Sequence, residues 1–219
     1  STAVVAAADL LTTERAARRR YWRAAAIGGL LATPLFYWML TAGHLDPFRA
    51  EPFGNLYDVQ ARSLLHLRWN VPTNQVAFEG FRVHGKTYLY FGPVPALLRL
   101  PIEALTSSLD GRLTQVSMLA AFAVALCFVA RLSWRARTLL RGNTPLGDLE
   151  LWVIGGFVFL VAVGSVVLFL GSRALVYHEA ELWGAALALA AYDAMLGFLT
   201  KPSRQAIALA GLWSTLAFL

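Results

Sequence analysis

Three acidic residues have the spacing and surroundings expected of a reactive site: Asp58, Glu179 and Glu181. Asp58 follows Asn55, a good helix N-cap, so its carboxylate falls in the first turn of a predicted short helix. Glu179 and Glu181 stand just before a long apolar run, with His178 beside them. Such groups can act as a general base, or can give oxygen ligands to a hard divalent cation such as Mg²⁺ or Mn²⁺. The pattern predicts Asp58 as the catalytic residue, with His178, Glu179 and Glu181 as metal ligands.

Each of these residues also has a purely structural interpretation. Asp58 can be a helix-dipole partner that pairs with Arg62 one turn later. Glu179 and Glu181 can be water-facing residues, and His178 a polar residue at the membrane interface. Side chains two residues apart do not share a face of a helix, whereas in an extended segment they point to the same side. The sequence leaves these alternatives open.

Basic and aromatic side chains accompany the acidic ones. The charges of Arg62, Arg82, Lys86 and Arg173 suit an anionic phosphate headgroup. Tyr90 lies among them in an aromatic, proline-rich segment and completes the predicted substrate- or phosphate-binding set. Taken singly, each basic residue can equally be an ordinary lipid-facing or solvated charge.

The elements that must position these residues are transmembrane helices. Of the 219 residues, 58% are hydrophobic and 15% are charged, whereas a soluble domain carries about 25% charged residues. Long apolar runs predict spans at about 24–43, 113–132, 151–170, 182–199 and 205–219. The last run is apolar to its end, so we expect the C-terminal part of a longer protein to follow.

Clusters of arginine orient the predicted spans. They flank the first and second spans at Arg15, Arg18, Arg19, Arg20, Arg23, Arg131, Arg135, Arg137 and Arg141. The positive-inside tendency makes these ends cytoplasmic, with a cytoplasmic N-terminus in the plasma membrane. This explains the net charge of +6 without a nucleic-acid partner. It also predicts that Asp58 and Glu179 face the same, outer side.

Two residues within the spans carry separate predictions. A carboxylate in a membrane helix costs about 2.5–3.5 kcal/mol on insertion scales. Asp193 is therefore interpreted as a structural or lumen-facing residue, with a relay group as the alternative. Cys127 is the single cysteine, which excludes an intrachain disulfide. It is predicted to be a small buried apolar side chain.

The loop at 44–112 carries more organised polar chemistry than a linker needs. Apolar residues recur at helical spacing from Leu56 to Leu67, which predicts an interfacial helix at about 56–68. A second is predicted at about 95–106, and 81–83 with 87–90 flank His84-Gly85-Lys86 as a small hairpin. The predicted fold is an all-α, polytopic transmembrane bundle in which this long first outer loop forms an active-site floor.

This layout resembles the GT-C superfamily, membrane glycosyltransferases that use polyprenyl-phosphate-linked sugars. The resemblance rests on one span, a long loop with an early acidic residue, the segment Tyr90-Phe91-Gly92-Pro93-Val94-Pro95, and a span that ends at Arg131. It is nearest to the protein mannosyltransferase and aminoarabinose transferase branch. Tyr57-Asp58-x-Gln60-Ala61 with Glu79-Gly80-Phe81 is also similar to uncharacterised actinobacterial membrane proteins of this type.

The resemblance implies a bacterial cell-envelope enzyme that transfers a sugar with inversion. Asp58 occupies the place of the family's candidate base. Glu179 and Glu181 fall where the oligosaccharyltransferase branch has an acidic motif that helps to bind a divalent metal. The implied partners are a polyprenyl-phosphate sugar, a glycan, lipid or protein acceptor, and membrane lipids. Asp58 is followed by Val59 rather than by the glutamate usual in the mannosyltransferase branch, and the Lys-Pro-Pro loop-closing motif is absent.

Two other classes of function remain as alternatives. A transporter or flippase would have helices broken near the bilayer midplane, with polar residues there. A non-catalytic subunit would use its outer loop only to attach to a membrane complex.

Overall fold

The computed structural model describes residues 2–51, 53–76, 79–142 and 144–218, with side chains described from Glu14 onward. The chain is mostly helical, with one small sheet. The helices are α1 Thr2–Leu40, α2 Leu56–Leu65, α3 Val94–Glu103, α4 Thr114–Arg141, α5 Asp148–Val163, α6 Val166–Leu170, α7 Val176–Thr200 and α8 Arg204–Phe218. The strands are β1 Gly80–Val83 and β2 Lys86–Leu89.

Four helical segments are long enough and apolar enough to cross a membrane. They are Glu14–Leu40, Thr114–Arg141, Asp148–Leu170 and Val176–Thr200. The prediction of a mostly helical membrane protein is therefore confirmed at this level. The fifth predicted run forms α8, which has 15 residues and so a length of about 22 Å.

The long helices pack in pairs, α1 against α5, α4 against α7, and α7 against α8. Their shared core includes Phe36 of α1, which stacks on Phe122 of α4 with 3.9 Å between ring centroids. Tyr21 of α1 donates a hydrogen bond to the Ala130 carbonyl of α4 at 2.8 Å. These contacts hold α1 against α4, and the bundle has two distinct ends. We call the end that carries Arg131 and the other clustered arginines the basic end, and the opposite end the loop end.

The third span is interrupted between α5 and α6. α5 ends at Val163, and the Val167 amide then donates to the Ser165 hydroxyl at 3.2 Å to begin α6. Gly164 and Ser165 are poor helix formers, so a break here costs little. The interruption lies near the loop end rather than at the middle of the span, and its two residues carry no charge.

At the loop end, α2, α3 and the β-hairpin form a small layer with its own apolar core, which we call the loop layer. Tyr57, Val76, Phe91 and Ala96 belong to this core, and Val176 joins it to the start of α7. The predicted hairpin is confirmed, with Val83 opposite Lys86 in antiparallel register. α2 stops at Leu65, and Leu67 adopts a positive φ of 55°. The helix is therefore slightly shorter than predicted.

The prediction that Cys127 is buried is wrong. Cys127 is exposed on α4, although its neighbours Leu126 and Val129 are buried. An apolar run in a membrane-type helix contains lipid-facing and core-facing positions of similar composition, so composition alone does not tell them apart.

The crossing of α1 and α5 depends on glycine. A Cβ atom at Gly28 would lie 2.1 Å from the Gly155 carbonyl oxygen, so the two backbones can approach this closely only without a side chain there. We expect Gly28→Ala to destabilise the protein by about 1–3 kcal/mol through overpacking. Thermal unfolding of the purified protein in detergent measures this effect as a lower midpoint.

Gly156→Ala is the matched control, because a Cβ at Gly156 meets no atom within 4 Å. Both substitutions raise the intrinsic helix propensity by about 1 kcal/mol, so only Gly28→Ala should lower the midpoint. Equal midpoints for the two variants would contradict the close crossing.

Candidate functional site

Arg99 of α3 is the centre of the most organised polar cluster in the described chain. Its Nη1 donates to Asp58 Oδ1 at 2.7 Å, and its Nη2 donates to both carboxylate oxygens of Glu179 at 2.8 Å. The three side chains are at most 3% exposed. Arg99 thus brings together Asp58 of α2 and Glu179 of α7, the two acidic features that the sequence predicts to converge.

Asp58 occupies the first turn of α2, as predicted, and both of its oxygens have partners. The Gly111 amide donates to Oδ2 at 2.6 Å, while Arg99 contacts Oδ1. Gly111 has a φ of +71°, a conformation that glycine adopts without strain. Charge-assisted hydrogen bonds of this kind stabilise the ionised carboxylate. Asp58 is therefore held in place by an ion pair and a backbone hydrogen bond.

The surroundings of Arg99 hold it in the charged form. Burial by itself lowers the pKa of Arg99, but the carboxylates of Glu179 and Asp58 outweigh that effect and raise the pKa overall. The Tyr57 ring lies 5.4 Å from the guanidinium carbon, within the range of a cation–π contact. Burial also raises the pKa of Tyr57, so this phenol stays neutral.

The predicted pairing of Asp58 with Arg62 is wrong. Arg62 Nε donates to Glu103 Oε2 at 2.9 Å, and the same guanidinium contacts Asp110. Arg62 is about one-third exposed, whereas Arg99 is buried beside Asp58. A buried carboxylate requires a close partner because water cannot compensate its charge, and Arg99 is that partner for Asp58.

The Arg99 cluster and the neighbouring ion pairs of Arg62 contain more acidic than basic side chains. Arg99 and Arg62 face Asp58, Glu179, Glu103 and Asp110, a formal excess of two negative charges. Burial raises the pKa of Glu103, against the opposing effect of Arg62. Such an excess favours a cation in principle. In the described parts of the chain, however, no three His, Cys, Asp or Glu side chains are grouped as metal ligands would be.

The predicted metal set is not assembled as a group. Val176 begins α7, so Glu179 and Glu181 are two apart on a helix and point in different directions. Glu179 turns inward to Arg99, while Glu181 is exposed. The His178 Nδ1 lies 3.1 Å from the Arg173 carbonyl oxygen. The metal assignment of these residues stays a prediction.

The predicted phosphate-binding residues lie apart from the Arg99 cluster. Arg82 and Lys86 are exposed on the hairpin, and Arg173 is exposed before α7. Arg62 is engaged by Glu103 and Asp110. Their role towards a phosphate stays a prediction.

Tyr90 belongs to a second cluster, with Glu79 and Tyr177. The Tyr90 and Tyr177 hydroxyls each donate to Glu79 Oε2 at 2.6 Å. The bond to Glu79 raises the pKa of Tyr90. Glu79 is buried, whereas Tyr90 and Tyr177 are 55% and 41% exposed. The Phe91 ring contacts Tyr177 at 5.0 Å and Tyr57 at 6.2 Å, and so joins this cluster to the Arg99 cluster.

Arg99 and Tyr177 are not among the site residues predicted from the sequence. Arg99 lies between Leu98 and Leu100 in a predicted interfacial helix, where a lone basic residue normally reaches water. The usable signal is its position on an apolar face that also includes Pro95 and Ala96. Tyr177 gives no such signal, because an aromatic residue at the start of a span usually belongs to the interfacial belt.

We expect Arg99→Met to destabilise the protein by about 3–5 kcal/mol, because it leaves two buried carboxylates without their cation. Adding Glu179→Gln to this variant removes one of those charges and should recover part of the loss. Denaturant unfolding in detergent measures both changes.

Arg82→Met is the matched control, since Arg82 is exposed on the hairpin. It should change stability by no more than about 0.5 kcal/mol. If Arg99→Met is as stable as Arg82→Met, the buried cluster does not hold the loop layer to α7.

No protein-family model matches this sequence, and neither the curated proteins nor the solved structures contain a match to it. The resemblance to the GT-C superfamily therefore rests on the quoted residues alone, and the function is inferred from the contacts of the chain itself.

Proposed function

We propose that this protein is a GT-C-type glycosyltransferase that moves a sugar from a polyprenyl-phosphate donor to an acceptor hydroxyl at the outer face of the membrane. The observation that carries the proposal is the buried Asp58–Arg99–Glu179 cluster at the loop end. A loop that only linked two spans would gain nothing from three buried charges, since each is costly to desolvate. The layout of loop and spans supplies the rest of the support.

In the proposed reaction Asp58 is the general base. Its carboxylate takes the proton of the acceptor hydroxyl while the hydroxyl oxygen attacks the anomeric carbon of the sugar. The bond from that carbon to the phosphate oxygen breaks, and the polyprenyl phosphate leaves with the electron pair. A single displacement inverts the anomeric centre, so one base is sufficient.

Arg99 has contacts that suit this role of Asp58. Its guanidinium contacts the Asp58 carboxylate directly. Glu179 accepts two of the bonds from Arg99 and Asp58 accepts one, so Arg99 stays anchored when Asp58 becomes protonated. Because Asp58 is buried, an acceptor reaches it only after a local opening of the surrounding contacts, as occurs at the lids of many enzymes.

Exposed groups at the loop end are chemically complementary to the proposed substrates. The exposed guanidinium and ammonium groups of Arg82, Lys86 and Arg173 are suited to the lipid phosphate. The exposed Tyr90 and Tyr177 offer ring faces and hydroxyls to a sugar. The proton balance needs no metal, so the part played by Mg²⁺ or Mn²⁺ is a separate question that a chelator answers.

A transporter has less support than an enzyme. The interruption at Gly164 and Ser165 lies near the loop end and carries no charge, whereas transporter sites sit near the midplane.

Asp58→Asn should lower sugar transfer by roughly 10²–10⁴-fold, because the amide cannot accept the proton. Transfer from a polyprenyl-phosphate sugar by purified protein in lipid nanodiscs is the measurement, with and without EDTA. A folded Asp58→Asn protein with unchanged transfer would exclude Asp58 as the base.

Asp46→Asn is the control, since Asp46 is exposed in the same loop and its carboxylate accepts a hydrogen bond from the Phe48 amide. It should leave transfer unchanged. Thermal midpoints must accompany both assays. If Asp58→Asn lowers stability as much as Arg99→Met and the wild-type protein transfers no sugar, the cluster is structural and the proposal fails.

A further inference from the structure

Another cluster of ion pairs lies at the basic end, where Asp193 of α7 binds two arginines of α4. Arg131 donates to Asp193 Oδ2 from Nε at 3.1 Å and from Nη2 at 2.8 Å. Arg135 Nε donates to Asp193 Oδ1 at 2.6 Å. Asp193 is 2% exposed. Of the two interpretations left open by the sequence, these contacts favour a structural, positioning role over a relay.

Asp193 fixes the arginines without covering them. The Arg131 and Arg135 side chains remain 46% and 33% exposed. Arg135 also lies over Gly197, where a Cβ atom would come within 3.1–3.3 Å of its guanidinium. The Nη1 group of each arginine makes no contact with Asp193. Donors held in fixed orientations lose little entropy when they bind a ligand.

These arginines line a pocket of about 340 Å³ between α1, α4 and α7. Its walls also include Arg18, Trp22, Trp134 and Leu139. Three arginines against one aspartate leave a formal excess of two positive charges. The pocket therefore offers cationic donors beside indole and aliphatic surfaces, at the end of helices long enough to cross a membrane.

We propose that this pocket binds the phosphate headgroup of an anionic membrane phospholipid. Guanidinium groups recognise phosphate through paired, charge-assisted hydrogen bonds. The Nη1 groups of Arg131 and Arg135, which do not bond to Asp193, can donate such bonds. Tryptophans suit the boundary between headgroup and acyl chain, and Trp22 and Trp134 line this pocket. Basic pockets between membrane helices are typical sites for anionic headgroups. A free phosphate shares the ionic chemistry but has no use for the apolar walls.

The site is independent of the proposed sugar transfer, because it lies at the opposite end of the bundle from Asp58. Native mass spectrometry of the detergent-purified protein, titrated with phosphatidylglycerol or with phosphatidylcholine of the same chains, measures the affinity. We expect tighter binding of phosphatidylglycerol, weakened about fivefold by Arg135→Gln and by Arg131→Gln, in line with one lost surface cation each. Arg135→Lys keeps the charge but loses the fork of donors, so its affinity should be intermediate.

Arg141→Gln is the matched control, since Arg141 lies on α4 at the same end and is 64% exposed. It should leave the affinity unchanged. Equal losses for Arg141→Gln and Arg135→Gln would overturn the proposal, because they would mean diffuse attraction to the basic end. Binding of inorganic phosphate that depends on Arg135, with no preference for phosphatidylglycerol, would overturn the assignment to a lipid.

Discussion

The sharing of one buried guanidinium by two carboxylates determines how the loop end of this protein is built. A buried charge is stable only when its partners are close and well oriented, since desolvation costs several kcal/mol per ion. Arg99 reaches Asp58 across 41 residues of chain and Glu179 across 80. The position of α2 relative to α7 therefore depends on the length of the Arg99 side chain and on the two terminal nitrogens of its guanidinium. The apolar core of the loop layer must form around this arrangement, because Tyr57 lies against Arg99.

The basic end uses the same interaction with the opposite stoichiometry. There one buried carboxylate, Asp193, serves two arginines, and the excess charge is positive. At the loop end one guanidinium serves two carboxylates, and the excess is negative. Each cluster joins α7 to another element, so ion pairs connect both ends of this helix to its neighbours. The opposite charge excess at the two ends gives each a different preference for ligands.

The sequence predicted what depends on local pattern. The long helices follow from apolar runs, and the hairpin follows from the turn at His84-Gly85. α2 starts directly after Asn55, although the Asn55 side chain makes no capping hydrogen bond. The sequence predicts that Asp58 and Glu179 lie on the same side of the membrane. It does not predict that Arg99 binds both of them. Partner choice depends on packing between distant elements, which periodicity does not encode. Exposed Cys127 and the break at Gly164 show the same limit, because lipid-facing, core-facing and interrupted segments are equally apolar.

The first turn of α7 contributes one residue to each of two clusters at the loop end, the Arg99 cluster and the cluster of Glu79, Tyr90 and Tyr177. Tyr177 points to the exposed surface and bonds to Glu79, while Glu179, two residues later, points inward to Arg99. A shift of the α7 backbone at this turn would move both contacts together, whereas a change of one side-chain rotamer would move only one of them. In the proposed reaction, a sugar that competes for the Tyr177 hydroxyl would disturb its bond to Glu79. It would affect the contact between Glu179 and Arg99 only by displacing the backbone of this turn.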